Sequence, residues 1–288
     1  MLINGKRILA DARKRGICVP AFNVYNLESI QAVFQANSTF NDPVIIAFGE
    51  GYIKDVSISV IAAMVREIDR EFDMPVVLHL DHSKDPEHIM EACRAGFTSV
   101  MYDGSHLPFT ENIIQTRNIV EMTEIFDVSV EAELGSMNLE DGSQSGRPDL
   151  FTDPAAARKF TDETKADSLA VSIGNAHGSY TGDPHIAFER LQEIQREVSI
   201  PLVLHGSSGL SDQDILRAIG LGISKININT EIAMAGARGI AAGLTDDLSP
   251  RLEQLMRTAK IEMAGAMKKY VNLCRGTTSS WKKGHMSQ

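Results

Sequence analysis

Val76-Val77-Leu78-His79-Leu80-Asp81-His82 leads, after a short polar link, into Pro86-Glu87-His88-Ile89-Met90-Glu91-Ala92-Cys93-Arg94-Ala95. The first stretch is short, apolar and β-branched, which reads as a strand. The second repeats apolar residues at three and four, which reads as a helix. The pair is one βα unit, and the rhythm recurs along the chain. Candidate strands fall at 18–24, 44–48, 76–80, 99–102, 129–134, 168–171, 202–204 and 223–228. Segments of helical period lie between them at 27–38, 58–71, 86–95, 111–126, 154–164, 186–198 and 212–220. Repeated βα units imply a parallel sheet, and eight of them favour a closed (β/α)8 barrel over an open doubly wound sheet. Ser211 and Asp153 read as helix N-caps. The stretch 249–270 predicts one or two extra C-terminal helices, and the polar tail 276–288 is expected to be disordered. No low-complexity linker divides the chain, so one α/β domain spanning 1–288 is expected.

The composition narrows the chemistry. With 288 residues, 43% of them hydrophobic, the chain can bury a large core unaided. Its 38 acidic residues against 28 basic ones give a formal charge of −10, which disfavours nucleic acid and anionic membrane as partners. An anionic substrate would then need local positive charge, from a metal or from helix N-termini. Cys18, Cys93 and Cys274 are odd in number and show no CxxC spacing, so neither a disulfide framework nor a Cys-based zinc site is indicated. No apolar run approaches the roughly 18 residues that span a bilayer. The expected location is the cytoplasm.

In such a barrel eight loops converge at the C-terminal ends of the strands, so catalytic residues should follow the apolar runs directly. Asn23, Asp81-His82, Asp103, Glu131 and Glu133, Asn175 and His177, His205, and Asn227 with Asn229 do so. Three strand-end histidines, His82, His177 and His205, are the proposed ligands of one Zn2+ that keeps a coordination position open. Asp81, next to a ligand, reads as the acid–base residue. Glu131 and Glu133 share a parity and should face the lumen, where a cation or basic partner must meet them. Asp103 and Glu133 could form an alternate metal position or take a salt bridge to an interior lysine. His79 is read as a buried hydrogen-bonding residue, and His88, His106, His185 and His285 as solvated. The turns at 174–178 and 205–209, with Asn229-Thr230 leading into a helix, offer backbone N–H groups for a phosphate.

At this point Val76–His82, Val130-Glu131-Ala132-Glu133-Leu134-Gly135, Asn175-Ala176-His177-Gly178, Leu204-His205-Gly206-Ser207-Ser208-Gly209 and Lys225-Ile226-Asn227-Ile228-Asn229-Thr230 together resemble the class II fructose-bisphosphate/tagatose-bisphosphate aldolases. The resemblance runs from about Pro20 to Thr230. It implies zinc on His82, His177 and His205, with an alternate metal position at Asp103 and Glu133. It makes Asp81 the acid–base residue for the C4 oxygen and Glu140 the residue that moves the carbon-bound proton. Gly178, Gly206, Ser208, Asn229 and Thr230 would surround the C1 phosphate, and Asn23 and Asn227 the triose. The implied reaction is reversible cleavage of a ketose 1-phosphate or 1,6-bisphosphate to dihydroxyacetone phosphate and an aldehyde, through a metal-stabilised enediolate. A monovalent cation is a second expected cofactor, and a homodimer or homotetramer the expected assembly.

The sequence departs from that family at three places. The loop that carries Glu140 is one residue short, Gly49 stands where members that bind fructose bisphosphate often have serine, and the C-terminal segment reads Arg275-Gly276-Thr277-Thr278. Two competing readings are a Schiff-base aldolase using Lys225 and a non-catalytic barrel subunit.

Overall fold

In the computed structural model, which describes residues 2–135, 151–176, 178, 184–246 and 249–275, eight parallel strands close into a barrel in chain order. They are β1 (Val19–Asn23), β2 (Val44–Gly49), β3 (Val76–Ser83), β4 (Ser99–Tyr102), β5 (Ser129–Leu134), β6 (Ser168–Val171), β7 (Leu202–Leu204) and β8 (Ile223–Ile228). β8 pairs back onto β1 with Ala21 opposite Asn227. The expected strands and barrel are all present, and five of the eight strands keep the expected bounds.

One parity of each strand faces the helices. Phe22, Ile46, Phe48, Leu78, Leu80, Val100, Val130, Leu169, Leu204 and Ile226 join the helix faces in one continuous core. Burying a side chain of this size contributes about 1.5–3 kcal/mol. The covering helices are α2 (Leu27–Asn37), α3 (Ile58–Asp69), α4 (Pro86–Ala95), α5 (Phe109–Glu124), α6 (Pro154–Thr164), α7 (Phe188–Glu197) and α8 (Asp212–Gly220). The two expected caps are made: Asp153 accepts from Ala156 N and Ser211 from Asp214 N, each satisfying a free N–H of the first turn.

The opposite parity lines the lumen, and its character changes along the axis. At the N-terminal mouth it is apolar: Ala21, Ile45 and Val77 meet Ile8, Leu9 and Ala12 of α1 (Gly5–Arg15), which plugs the barrel from below. Sequence periodicity did not expose this helix, whose mean hydropathy is low and whose apolar stripe is narrow. Towards the C-terminal mouth the lumen becomes polar and charged.

The expected extra C-terminal helix is present: α10 (Leu252–Arg275) covers most of the anticipated 249–270 and runs five residues beyond it, and α9 (Thr230–Asp246) starts where Asn229-Thr230 was expected to lead into a helix. They pack closely because Gly239 of α9 lies against α10, where a Cβ would stand 2.9 Å from the Thr258 carbonyl oxygen. The tail 276–288 lies outside the described residues. Cys18 and Cys274 are distant in sequence yet adjacent in space, the Cys18 N–H donating to the Cys274 carbonyl at 3.1 Å, and both thiols are free and buried. Among the described residues no helix is long and apolar enough to cross a membrane.

Candidate active site

The floor of the C-terminal mouth is a buried ionic layer. Lys225 of β8 places Nζ 2.6 Å from Glu131 Oε2 of β5 and 3.2 Å from His79 Nε2 of β3. An ammonium only donates, so His79 accepts at Nε2 and donates from Nδ1 to Ser99 Oγ, 2.8 Å away. Burial, then the charge of Lys225, depress the His79 pKa to about 3. His79 is therefore the neutral, buried hydrogen-bonding residue anticipated from its strand position. The basic partner expected for Glu131 is Lys225.

Glu131 also fixes the chemistry of His205. Burial opposes its charge, but Lys225, then His205 and His79, hold its pKa well below the usual carboxylate range. An ionised carboxylate can only accept, so His205 Nε2, 2.8 Å from Glu131 Oε1, carries a proton and leaves the Nδ1 lone pair facing the pocket. That Nδ1 stands 2.9 Å from His82 Nε2.

His82 arrives there through a backbone irregularity. Leu80 pairs with Val100 but Ser83 with Tyr102, so β3 carries one residue more than β4, and His82 takes φ 51°. A left-handed conformation costs a side-chain-bearing residue about 1–2 kcal/mol. Plain strand alternation would send Asp81 and His82 to opposite faces. The bulge brings both into the mouth.

Asp81 is held by two amides. Asn23 Nδ2 donates to Oδ2 and Asn227 Nδ2 to Oδ1, each at 2.9 Å. Burial works against its charge, yet His82, His205, Lys225 and His79 outweigh it and pull its pKa far below the ordinary value. On the other side of His82, Nδ1 lies 3.3 Å from Asp103 Oδ2 and 3.6 Å from Glu133 Oε2. Ser105 donates to the remaining Asp103 oxygen from both N and Oγ. Burial opposes a proton on His82, but Asp81, Asp103 and Glu133 raise its pKa to about 9. Burial pushes Glu133 up to about 8, and its Oε2 has no hydrogen-bond partner among the described residues.

The residues present fit a divalent cation. Four buried carboxylates, Asp81, Asp103, Glu131 and Glu133, meet a single lysine in this layer among the described residues. The donor atoms of Asp81, His82 and His205 lie within 4.8 Å of one another, as do those of His82, Asp103 and Glu133. The orphaned Glu133 oxygen and the crowding of four carboxyl groups in one buried layer are what a bound cation would resolve. His177, the third histidine anticipated, and Glu140 lie outside the described residues.

A second cluster lines the β7, β8 and β1 ends. Gly206 takes φ 60°, and a Cβ there would sit 2.2 Å from the Ala176 carbonyl, so only glycine lets the β6 and β7 turns touch. Gly178 also has positive φ, at 89°. Asn175 donates to the His205 carbonyl at 3.1 Å, and Ser207 Oγ donates to the Asn227 carbonyl at 2.6 Å. Ser208 Oγ accepts from Glu231 N at 3.4 Å, beside the N-terminus of α9 where Thr230 begins the helix. Asn229 is gripped by two rings that sequence reasoning missed. Tyr25 OH donates to its Oδ1, and its Nδ2 donates to Tyr52 OH at 3.2 Å. The two tyrosines pack edge to face with centroids 5.0 Å apart. Tyr52 also fills the space above Gly49, where a Cβ would lie 3.2 Å from its ring and 3.8 Å from Asn23 Nδ2. The signal available was two aromatics just beyond strand ends, but their partner could not be read from spacing. His88, expected to be solvated, is instead bonded to Glu50 at 2.8 Å, whereas His106 and His185 are exposed as expected and His285 lies outside the described residues.

Residues 3–278 match the family described as fructose-bisphosphate aldolase class-II. Among solved structures, the chain is similar to the YdjI aldolase of Escherichia coli K12, with 32% identity and a TM-score of 0.86, over 97% of this chain and 100% of that one. A fructose-bisphosphate aldolase (Fba) of Campylobacter jejuni shares the fold at 24% identity and a TM-score of 0.83, with 95% of each chain covered.

Proposed function

From the premise that the chain belongs to the class II fructose-bisphosphate aldolase family, we propose that it is a zinc enzyme reversibly cleaving a ketose 1-phosphate or 1,6-bisphosphate into dihydroxyacetone phosphate and an aldehyde. The aldolase class follows from the family, and with it a phosphorylated sugar as substrate. The observation that carries the zinc reading is the 2.9 Å approach of His82 Nε2 to His205 Nδ1 within a surplus of buried carboxylate.

His82 and His205, with His177, would hold the ion, and Asp103 with Glu133 would offer it an alternate position. Bound there, zinc supplies Lewis acidity that stabilises the enediolate charge on the triose. Asp81 takes the proton of the C4 hydroxyl during cleavage and returns it during condensation. Asn23 and Asn227 keep its two oxygens oriented and contact the triose. Glu140 moves the carbon-bound proton. Gly178, Gly206, Ser208, Asn229 and Thr230 receive the C1 phosphate, where glycine-freed N–H groups and the N-terminus of α9 favour an anion. A monovalent cation, a homodimer or homotetramer and a cytoplasmic location belong to the same reading.

The Lys225 alternative has little geometric support. Its ammonium is 1% exposed and committed to Glu131 and His79 below the mouth. A scaffold without activity has no need for the Asp81 clamp. On the aldehyde side Tyr52 occupies the place of the missing Gly49 hydroxyl, which favours a substrate other than fructose 1,6-bisphosphate. A cleavage assay that detects dihydroxyacetone phosphate, run across a panel of ketose 1-phosphates and bisphosphates with and without chelator, tests the proposal. Absence of that product from every substrate would sink it.

A further inference from the structure

One carboxylate, outside the cluster just described, ties down the segment that presents His82. Glu50 stands at the end of β2 and begins a single 3-10 turn, Glu50–Tyr52. Its Oε1 accepts from Ser83 Oγ at 2.7 Å, from His88 Nδ1 at 2.8 Å and from Asp85 N at 3.3 Å, while Oε2 accepts from Lys84 N at 3.1 Å. Three consecutive residues after His82 are thus fastened to the neighbouring strand's loop. Ser83 is fully buried, and its carbonyl accepts from Asp103 N at 2.8 Å. Asp103 in turn reaches His82 Nδ1 at 3.3 Å. The chain of contacts runs from Glu50 through Ser83 and Asp103 to the imidazole.

His82 needs such a restraint. Its left-handed backbone and the bulge beneath it are strained local choices, and strained conformers persist only where surrounding contacts over-determine them. A glycine would hold this conformation without strain, whereas a histidine holds it only at a cost that neighbouring contacts must offset. Glu50 offers a carboxylate to the two backbone N–H groups that follow the bulge, closing the loop against β2.

We propose that Glu50 is a positioning residue for the metal site: by anchoring Ser83, Lys84 and Asp85 it holds His82 in the conformation that aims Nε2 at His205 Nδ1. Glu50 touches neither substrate nor ion. The inference rests on the zinc reading above, and a distinct outcome separates the two.

The test starts from the zinc-loaded full-length protein and measures zinc transfer to a chromophoric chelator of known affinity, alongside the absorption spectrum of the cobalt(II)-substituted protein and thermal unfolding. Glu50→Ala should weaken zinc binding by about 10-fold or more, the range that outlying partners of metal ligands command, and should alter the cobalt spectrum. Ser83→Ala, which removes one anchor and leaves the carboxylate, should give a smaller loss in the same direction and guards against failure of the first variant to fold. Glu50→Gln, which keeps acceptor capacity at one oxygen, should recover part of the affinity. If folded Glu50→Ala and Ser83→Ala both hold zinc as tightly as the parent, with unchanged cobalt spectra, Glu50 is only a loop fastener and the proposal is overturned. Failure of the parent itself to bind zinc overturns the zinc reading instead.

Discussion

His82 Nε2 and His205 Nδ1 lie 2.9 Å apart although their strands, β3 and β7, stand on opposite sides of the barrel. The two ring nitrogens face each other at hydrogen-bond distance, so one nitrogen of each ring is presented to the same point of the mouth. At His205 the choice of nitrogen is enforced from behind by Glu131. At His82 it is enforced by Asp103 at the other ring nitrogen. His82→Ala should therefore abolish metal retention, measured by elemental analysis after dialysis. Asp81→Ala should retain the ion and lose turnover by roughly 100-fold or more. Equal metal loss in the two variants would show Asp81 to be structural.

Removal of the metal separates the two aldolase mechanisms. Chelator should abolish cleavage activity, and zinc or cobalt should restore it. Activity that survives chelation but is lost on borohydride treatment with substrate would transfer the reaction to Lys225.

The aldehyde side of the mouth makes a prediction about substrate. Fructose 1,6-bisphosphate should show a kcat/KM at least about tenfold below that of another ketose 1-phosphate differing in C4 configuration or terminal group, a gap of roughly 1.4 kcal/mol. Gly49→Ser should not convert the enzyme by simple addition of a hydroxyl. Its Cβ would stand 3.2 Å from the Tyr52 ring, so the ring must give way and loosen its 3.2 Å bond with Asn229. A lost hydrogen bond of this kind costs on the order of 1 kcal/mol. Steady-state kinetics on the panel check both statements, and a top ranking for the fructose compound in the parent protein would refute the first.

Lys225 and Glu131 are 1% and 2% exposed. Breaking a buried ion pair from one side leaves an uncompensated charge, so Lys225→Met should destabilise the fold by about 3–5 kcal/mol in denaturant titration. Adding Glu131→Gln removes that charge but keeps an acceptor for His205, and should recover much of the loss. A single variant within about 1 kcal/mol of the parent would mean that the pair contributes little.

The Glu50–His88 contact gives a pH signature. The hydrogen bond to Glu50, with neighbouring Asp85 and Glu91, raises the His88 pKa above its ordinary 6.5, although partial burial opposes this. Burial alone would raise Glu50, but His88, Ser83 and two backbone N–H groups together lower it below 4.5. The His88 contribution to stability is complete below pH 6.5 and is lost as pH rises through the folded value. The Glu50 contribution is complete above pH 4.5 and is lost as pH falls through its folded value. The difference in Tm between the parent and His88→Gln should accordingly be largest between those limits and shrink above them. A difference that grows with rising pH would contradict the assignment.

The barrel was legible in the sequence because its information is local and repeated. Short apolar strands such as Val76–Leu80 followed by helical periods signal βα units without knowledge of any contact, and the rule that loops gather at strand C-termini then picks out Asp81, His82, Asp103, Glu133, His205 and Asn227. The family resemblance supplied roles for Asn23, Glu140, Gly178 and Thr230 that spacing alone does not. Tertiary structure decided the rest, because it depends on residues far apart in the chain meeting at particular atoms. Strand parity would separate Asp81 from His82, and only the bulge against β4 unites them. Strand parity gave Glu131 and Glu133 the same lumen face, but across the lumen one meets Lys225 and stays ionised while the other faces His82 with an orphan oxygen. No periodicity places α1 under the barrel, Tyr52 over Gly49, or Glu50 against the loop after His82. Those contacts are set by how neighbouring strands register and by which side chains close packing admits, and neither is written in a run of ten residues.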